Sequence, residues 1–154
     1  MRKLLIAATI LAGGAGAAHA TVWNGTAYFT YYSDQQVADV TYSYNDATNQ
    51  FTVGTPHTIA RLPGADGLLF APNGNILVGG QSPNVYSVNP ATGSYTTTPI
   101  PGPGSYHLAL NGSTLYTSGP YGQSSAPLVT ATVAADGTVI SPVSAPVTGA
   151  DTQV

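Results

Sequence analysis

The stretch "GADGLLFAPNGNILVGG", Gly64 to Gly80, decides the fold. Two short apolar runs, Leu68–Phe70 and Ile76–Val78, flank Asn73-Gly74. An apolar strand, an Asn-Gly turn and a second apolar strand form the strongest short-range hairpin signal a sequence offers. The stretch also recurs. "GSYHLALNGSTLYTSG" (Gly104–Gly119) aligns with it after a small gap in the turn, so that Asn111-Gly112 falls on Asn73-Gly74. A third start, "GADTQV" (Gly149–Val154), repeats Gly64-Ala65-Asp66 to the letter.

A second hairpin lies between these units. "TYSYNDATNQFTV" (Thr41–Val53) aligns with "VYSVNPATGSYTT" (Val85–Thr97), placing Asn45 on Asn89 and Phe51 on Tyr95, each 44 residues on. "LVTATVAADGTVIS" (Leu128–Ser141) follows the pattern more loosely, with its turn at Asp136-Gly137. Strands are expected at Thr26–Tyr32, Asp39–Tyr44, Gln50–Thr52, Gly67–Phe70, Ile76–Gly79, Asn84–Val88, Tyr95–Thr98, His107–Leu110, Thr114–Thr117, Leu128–Val133 and Thr138–Ile140. Four short strands repeating about every 40–45 residues are the pattern of a β-propeller blade. The competing all-β fold, a sandwich, carries no such internal repeat.

The expected fold is therefore all-β: β-propeller blades of four antiparallel strands, with repeats near residues 21–63, 64–103 and 104–148 and a further start at 149. Closed propellers take about 4–8 blades. About three are encoded, so the expectation is an incomplete ring cut short at its C-terminus, or a short protomer that closes a ring by oligomerising.

Composition agrees with strands. Tyr (10), Gly (18) and Pro (12), together with many Thr and Val, supply strand and turn formers, while Glu is absent and Lys scarce. The N-terminus reads separately: Met1-Arg2-Lys3, the apolar Leu4–Ala12 and the small-x-small Ala18-His19-Ala20 make a secretory signal peptide, residues 1–20. Its apolar run is shorter than the roughly 20 residues that span a bilayer as a helix. A secreted, periplasmic or cell-surface location is expected, with no transmembrane segment in the mature chain, 21–154.

The mature chain keeps Arg61 as its only Lys or Arg, against six aspartates. Nucleic acid is excluded as a partner, because phosphate neutralisation needs clustered Lys and Arg. There is no Cys, so disulfides, thiol nucleophiles and Cys-ligated metal centres are excluded. A Walker-type phosphate loop, an EF-hand loop and a Gly-x-Ser-x-Gly nucleophile elbow are absent as well.

At "ADGLLFAPNGNILVGG" followed by "VYSVNPATG" the chain resembles the propeller group of NHL-repeat, gluconolactonase-like and YVTN-type proteins. The likeness is good over Asp66–Gly93, moderate over Tyr106–Gly119 and weak elsewhere. Its Cys-free, Gly/Thr/Tyr-rich make-up is similar to exported bacterial surface proteins that carry a C-terminal sorting segment, which this sequence does not contain. The resemblance implies either a binding protein or a lactone hydrolase or lyase with a metal or acid/base site in the central channel. The lactonases hold their ion with a Glu and Asn/Asp side chains, and this chain has no Glu.

In such a propeller the residues just before each innermost strand stand at the channel mouth. The repeats put Asp66, Tyr106, His107 and Asp151 there. Asp and His converging from separate blades can bind a divalent metal or exchange a proton. The plainer reading is that Asp66 caps its own turn. His57, after Pro56, reads as a surface residue in a linker with no recognisable partner, and Arg61 as an anion-orienting group or a salt bridge to a nearby Asp. "NGT" (Asn24–Thr26) and "NGS" (Asn111–Ser113) fit the glycosylation pattern but read better as turns. The leading expectation is a binding scaffold for a carbohydrate, peptide or protein, needing no cofactor. The alternative is an enzyme of the lactonase or lyase kind, with a divalent metal or acid/base pair built on Asp66, His107 and Asp151.

Overall fold

A computed structural model describes residues 21–102, 104–118 and 128–145. Among them the chain is all-β, with no helix, and forms twelve strands in three antiparallel sheets. The first sheet holds β1 (Val22–Tyr31), β2 (Gln36–Asn45), β3 (Gln50–Val53) and β4 (His57–Arg61). The second is the meander β5 (Ala65–Phe70), β6 (Ile76–Gly80), β7 (Asn84–Val88) and β8 (Tyr95–Pro99). The third is the meander β9 (His107–Asn111), β10 (Thr114–Ser118), β11 (Leu128–Val133) and β12 (Val139–Ala145).

Local chemistry sets the turns. Between β5 and β6 the Ala71 N–H donates to the Asn75 carbonyl at 2.8 Å, Gly74 takes φ +88°, and the Asn73 side chain accepts the Asn75 N–H at 3.1 Å. This is the three-residue hairpin loop with glycine in the left-handed position. Ala134–Thr138 repeats it between β11 and β12: Ala134 bonds Thr138 at 2.8 Å, Gly137 has φ +83°, and Asp136 accepts the Thr138 N–H at 2.9 Å. Asn111 pairs directly with Thr114, which leaves a two-residue loop with positive φ only at Gly112, the type II′ pattern.

The 44-residue repeat is present at atomic detail. Asn45 Oδ1 accepts the N–H groups of Ala47 and Thr48 at 3.0 and 3.2 Å, and Asn89 Oδ1 those of Ala91 and Thr92 at 2.9 and 3.2 Å. Tyr44 pairs with Phe51 across one hairpin as Val88 pairs with Tyr95 across the other.

Two expectations are corrected in the first sheet. Asn24-Gly25-Thr26 is no turn but lies inside β1, where Gly25 leaves room for the Tyr42 ring lying across it; a Cβ there would collide with that ring. His57 does not sit in a linker. It opens β4, which pairs with the first half of β2 while β3 pairs with the second half. The ten-residue β2 is long enough to serve both, and Gly54-Thr55-Pro56 separates its two partners. Each sheet's outermost run is thus interrupted or bounded by proline: Pro56 before β4, Pro99 at the end of β8 and Pro142 within β12.

The sheets stack face to face through side chains that alternate along each strand. In β6, Ile76 and Val78 point toward the first sheet and meet Val37, Ala60 and Leu62; Leu77 points the other way into Leu115, Val129, Ala131, Val133 and Val139 of the third. The second sheet is therefore covered on both faces, and all five residues of β6 are buried. The first strands of the three sheets, β1, β5 and β9, run beside one another at one side of the stack. Close approach there requires glycine: a Cβ at Gly79 would run into the Ser105 carbonyl, and one at Gly67 would come to 3.1 Å of the Tyr106 carbonyl.

Candidate functional site

The repeat alignment sets Tyr106-His107 opposite Asp66-Gly67, and the structure builds these two positions differently. Asp66 is half-buried within β5, at the bulge between Ala65 and Gly67. Its backbone carbonyl accepts the Thr30 hydroxyl from β1. Tyr106 precedes β9, and its N–H donates to the Ser118 carbonyl at 2.9 Å. His107 opens β9 opposite Ser118. The Tyr106 and His107 rings meet edge to face, centroids 5.2 Å apart at 69°.

Tyr106 and His107 line a cleft of about 600 Å³ along β9. Gly67 and Leu68 form one wall from β5; Leu108 and Ala109 continue β9; Tyr116, Thr117 and Ser118 come from β10, and Leu128 from β11. Gly67 opens this space, since any side chain there would press on the Tyr106 carbonyl. The lining is mostly apolar, and it carries neither a carboxylate nor a Lys or Arg. Two of its hydroxyls, Thr117 Oγ1 and Ser118 Oγ, are buried without a hydrogen-bond partner, although these residues are only 2% and 1% exposed. A buried hydroxyl left unpaired costs about 1–3 kcal/mol, so such groups call for a ligand or water.

Asp66 is not part of the cleft wall, and Asp151 lies outside the described residues. Among the described residues no three His, Cys, Asp or Glu side chains gather to hold a metal ion. His107 is the one imidazole of the cleft, able to donate or accept a hydrogen bond.

The remaining polar candidates are on the surface. His57 Nδ1 lies 3.2 Å from Asp39 Oδ1, a partner that sequence reading missed because the two stand opposite each other across the β2–β4 ladder. The His57 side chain is 76% exposed, so the surface reading stands. Arg61 Nη1 donates to the Asp34 backbone carbonyl at 3.4 Å rather than to a carboxylate. A smaller hollow of about 280 Å³ lies among Asn75, Ser87, Asn89, Asp136 and Thr138. There the Thr138 hydroxyl, and after it the Thr138 N–H, hold the Asp136 carboxyl below its ordinary value. A third, shallow hollow of about 570 Å³ lies over Tyr42 and Val53 on the first sheet.

Sequence reasoning found Tyr106 and His107 through the repeat. It missed Tyr116, Thr117, Ser118 and Leu128, which reach the cleft only through β9–β10–β11 pairing and carry no motif of their own. Among the described residues no helix is long and apolar enough to cross a membrane. No family model, curated protein or solved structure matches the chain.

Proposed function

We propose that the three sheets are blades of an exported β-propeller of the NHL or gluconolactonase-like kind, and that it works as a binding scaffold for a neutral, hydroxyl-bearing ligand, a saccharide. The observation that carries this reading is the β9 cleft. Tyr106 and Tyr116 offer ring faces to the C–H face of a sugar, and the Thr117 and Ser118 hydroxyls lack partners that sugar hydroxyls supply. A lining without fixed charge favours a neutral ligand over an anionic or cationic one. Support for the propeller comes from the repeated hairpins, the meander order of the second and third sheets, and the side-by-side inner strands. Support for export comes from the basic-apolar-small pattern of residues 1–20.

The test is an NMR titration of the protein with a panel of neutral mono- and oligosaccharides, following the His107 ring and the β9–β10 amides. Binding that perturbs these signals, and weakens at least about tenfold in Tyr106→Ala, supports the reading. A panel that leaves them unmoved at millimolar concentrations refutes it, as does binding that Tyr106→Ala leaves intact.

A further inference from the structure

Three asparagines in the chain are followed by glycine: Asn24, Asn73 and Asn111. This pair carries its own chemistry. The glycine nitrogen attacks the asparagine side-chain carbonyl carbon, its proton passes through solvent to the departing amide nitrogen, and ammonia leaves behind a cyclic succinimide. Water then adds across either carbonyl–nitrogen bond of the ring, giving aspartate or isoaspartate. Glycine is the favourable neighbour because no side chain shields its nitrogen. The reaction needs an asparagine amide and a glycine N–H that are both unoccupied, and a peptide plane between them that can turn.

Two of the pairs fail these conditions. Asn24-Gly25 lies inside the ten-residue β1, where Asn24 pairs with Ser43 and Gly25 with Tyr42, and the Tyr42 ring lies across Gly25. Turning that peptide would break the ladder in its interior. Asn73-Gly74 sits in the β5–β6 loop with both reacting groups occupied. Asn73 Oδ1 accepts the Asn75 N–H at 3.1 Å, and the Gly74 N–H donates to the Ala71 carbonyl at 2.9 Å. The Asn73 amide also lies against Gly137 of the β11–β12 loop, so close that a Cβ there would come to 2.5 Å of its nitrogen.

Asn111-Gly112 has none of these restraints. Both residues are exposed. Among the described residues the Asn111 side chain has no hydrogen-bond partner and the Gly112 N–H no acceptor. Gly112 takes φ +60°, with nothing within 4 Å of the place a Cβ would occupy. Asn111 and Thr114 form the last pair of the β9–β10 ladder, so turning this peptide opens only the end of a hairpin.

We propose that Asn111 is a site of spontaneous deamidation in the folded protein, converted to aspartate and isoaspartate while Asn24 and Asn73 are spared. The two products act differently on the fold. Aspartate keeps the backbone of the loop and adds a negative charge. Isoaspartate carries the backbone through its Cβ, which lengthens by a carbon a loop whose type II′ geometry spans two residues. The change falls on the hairpin whose opposite end sets His107 beside Ser118 in the cleft.

The experiment is a time course of the full chain in mildly alkaline buffer made with heavy-oxygen water, run with and without urea. Chymotryptic peptides are read by mass spectrometry, because Arg61 gives trypsin a single site in residues 21–154. Heavy oxygen marks a ring opened during the incubation rather than during digestion. The expected result is labelled aspartate and isoaspartate at Asn111 accumulating at least about tenfold faster than at Asn24 or Asn73 in the folded chain, with the rates drawing together in urea. Equal rates at the three positions of the folded chain overturn the inference, as does an Asn111 that reacts only in urea. Neither result depends on whether the β9 cleft takes a saccharide.

Discussion

Removing one oxygen from Ser105 is expected to loosen the joint between the second and third sheets. Ser105 is fully buried in the segment leading into β9. Its hydroxyl accepts the Gly80 N–H at 3.0 Å and donates to the Asn84 carbonyl at 2.7 Å, while its own N–H donates to the Gly80 carbonyl at 2.8 Å. Ser105→Ala keeps the backbone bond and strands the other two groups. The repeat shows that alanine fits sterically, since Ala65, the equivalent residue, is also 0% exposed. At about 1–3 kcal/mol for each buried polar group left unpaired, and with some relaxation, the loss is about 3 kcal/mol. With a urea m-value of about 2 kcal/mol/M, the unfolding midpoint falls by roughly 1.5 M at unchanged m. Circular dichroism across a urea gradient measures it. A midpoint within about 0.3 M of the parent would show that water replaces the hydroxyl, and that Ser105 does not tie the sheets together.

Glycine positions in the same region separate crowding from backbone strain. Gly79→Ala drives a methyl into the Ser105 carbonyl and is expected to cost about 3 kcal/mol or more, whereas Gly74→Ala, at φ +88° with nothing within 4 Å, costs about 1 kcal/mol from strain alone. Equal urea midpoints for the two variants would contradict this. The Asp136 carboxyl, favoured as an anion chiefly by the Thr138 hydroxyl, titrates below 3.8 in the folded chain. Its contribution to stability is therefore complete above 3.8 and is lost as pH falls through the lower folded value. Carbon-detected NMR should place its midpoint below 3.8 and show it rising in Thr138→Val; an unchanged midpoint in that variant would remove the hydroxyl as the cause.

Most of the strand order was legible because turn chemistry and period-2 alternation agree. The Asn-Gly and Asp-Gly loops fix where β5–β6, β9–β10 and β11–β12 reverse, and β7 and β11 match their expected bounds. β4 was not legible. "HTIAR" is short, lies between Pro56 and Pro63, and is held by pairing with the first half of β2 rather than by any hydrophobic pattern of its own. Asn24-Gly25 misled for the opposite reason: a strong local turn signal gave way to a long ladder that needed a small residue under Tyr42. The cleft was half legible. Alignment of the repeats singled out Tyr106 and His107, but the orphaned Thr117 and Ser118 hydroxyls are visible only once burial is known.

The prolines along the outermost strands have a consequence for how copies of this chain meet. A free strand edge recruits further strands through its exposed N–H and C=O groups, the route by which β proteins polymerise without limit. Proline lacks the N–H, and the break at Gly54-Thr55-Pro56 divides one edge into pieces of four and five residues. Pro99 and Pro142 interrupt the donor rows of the other two. Growth along the hydrogen-bonding direction is thereby discouraged at the edges formed by β3 and β4, β8 and β12.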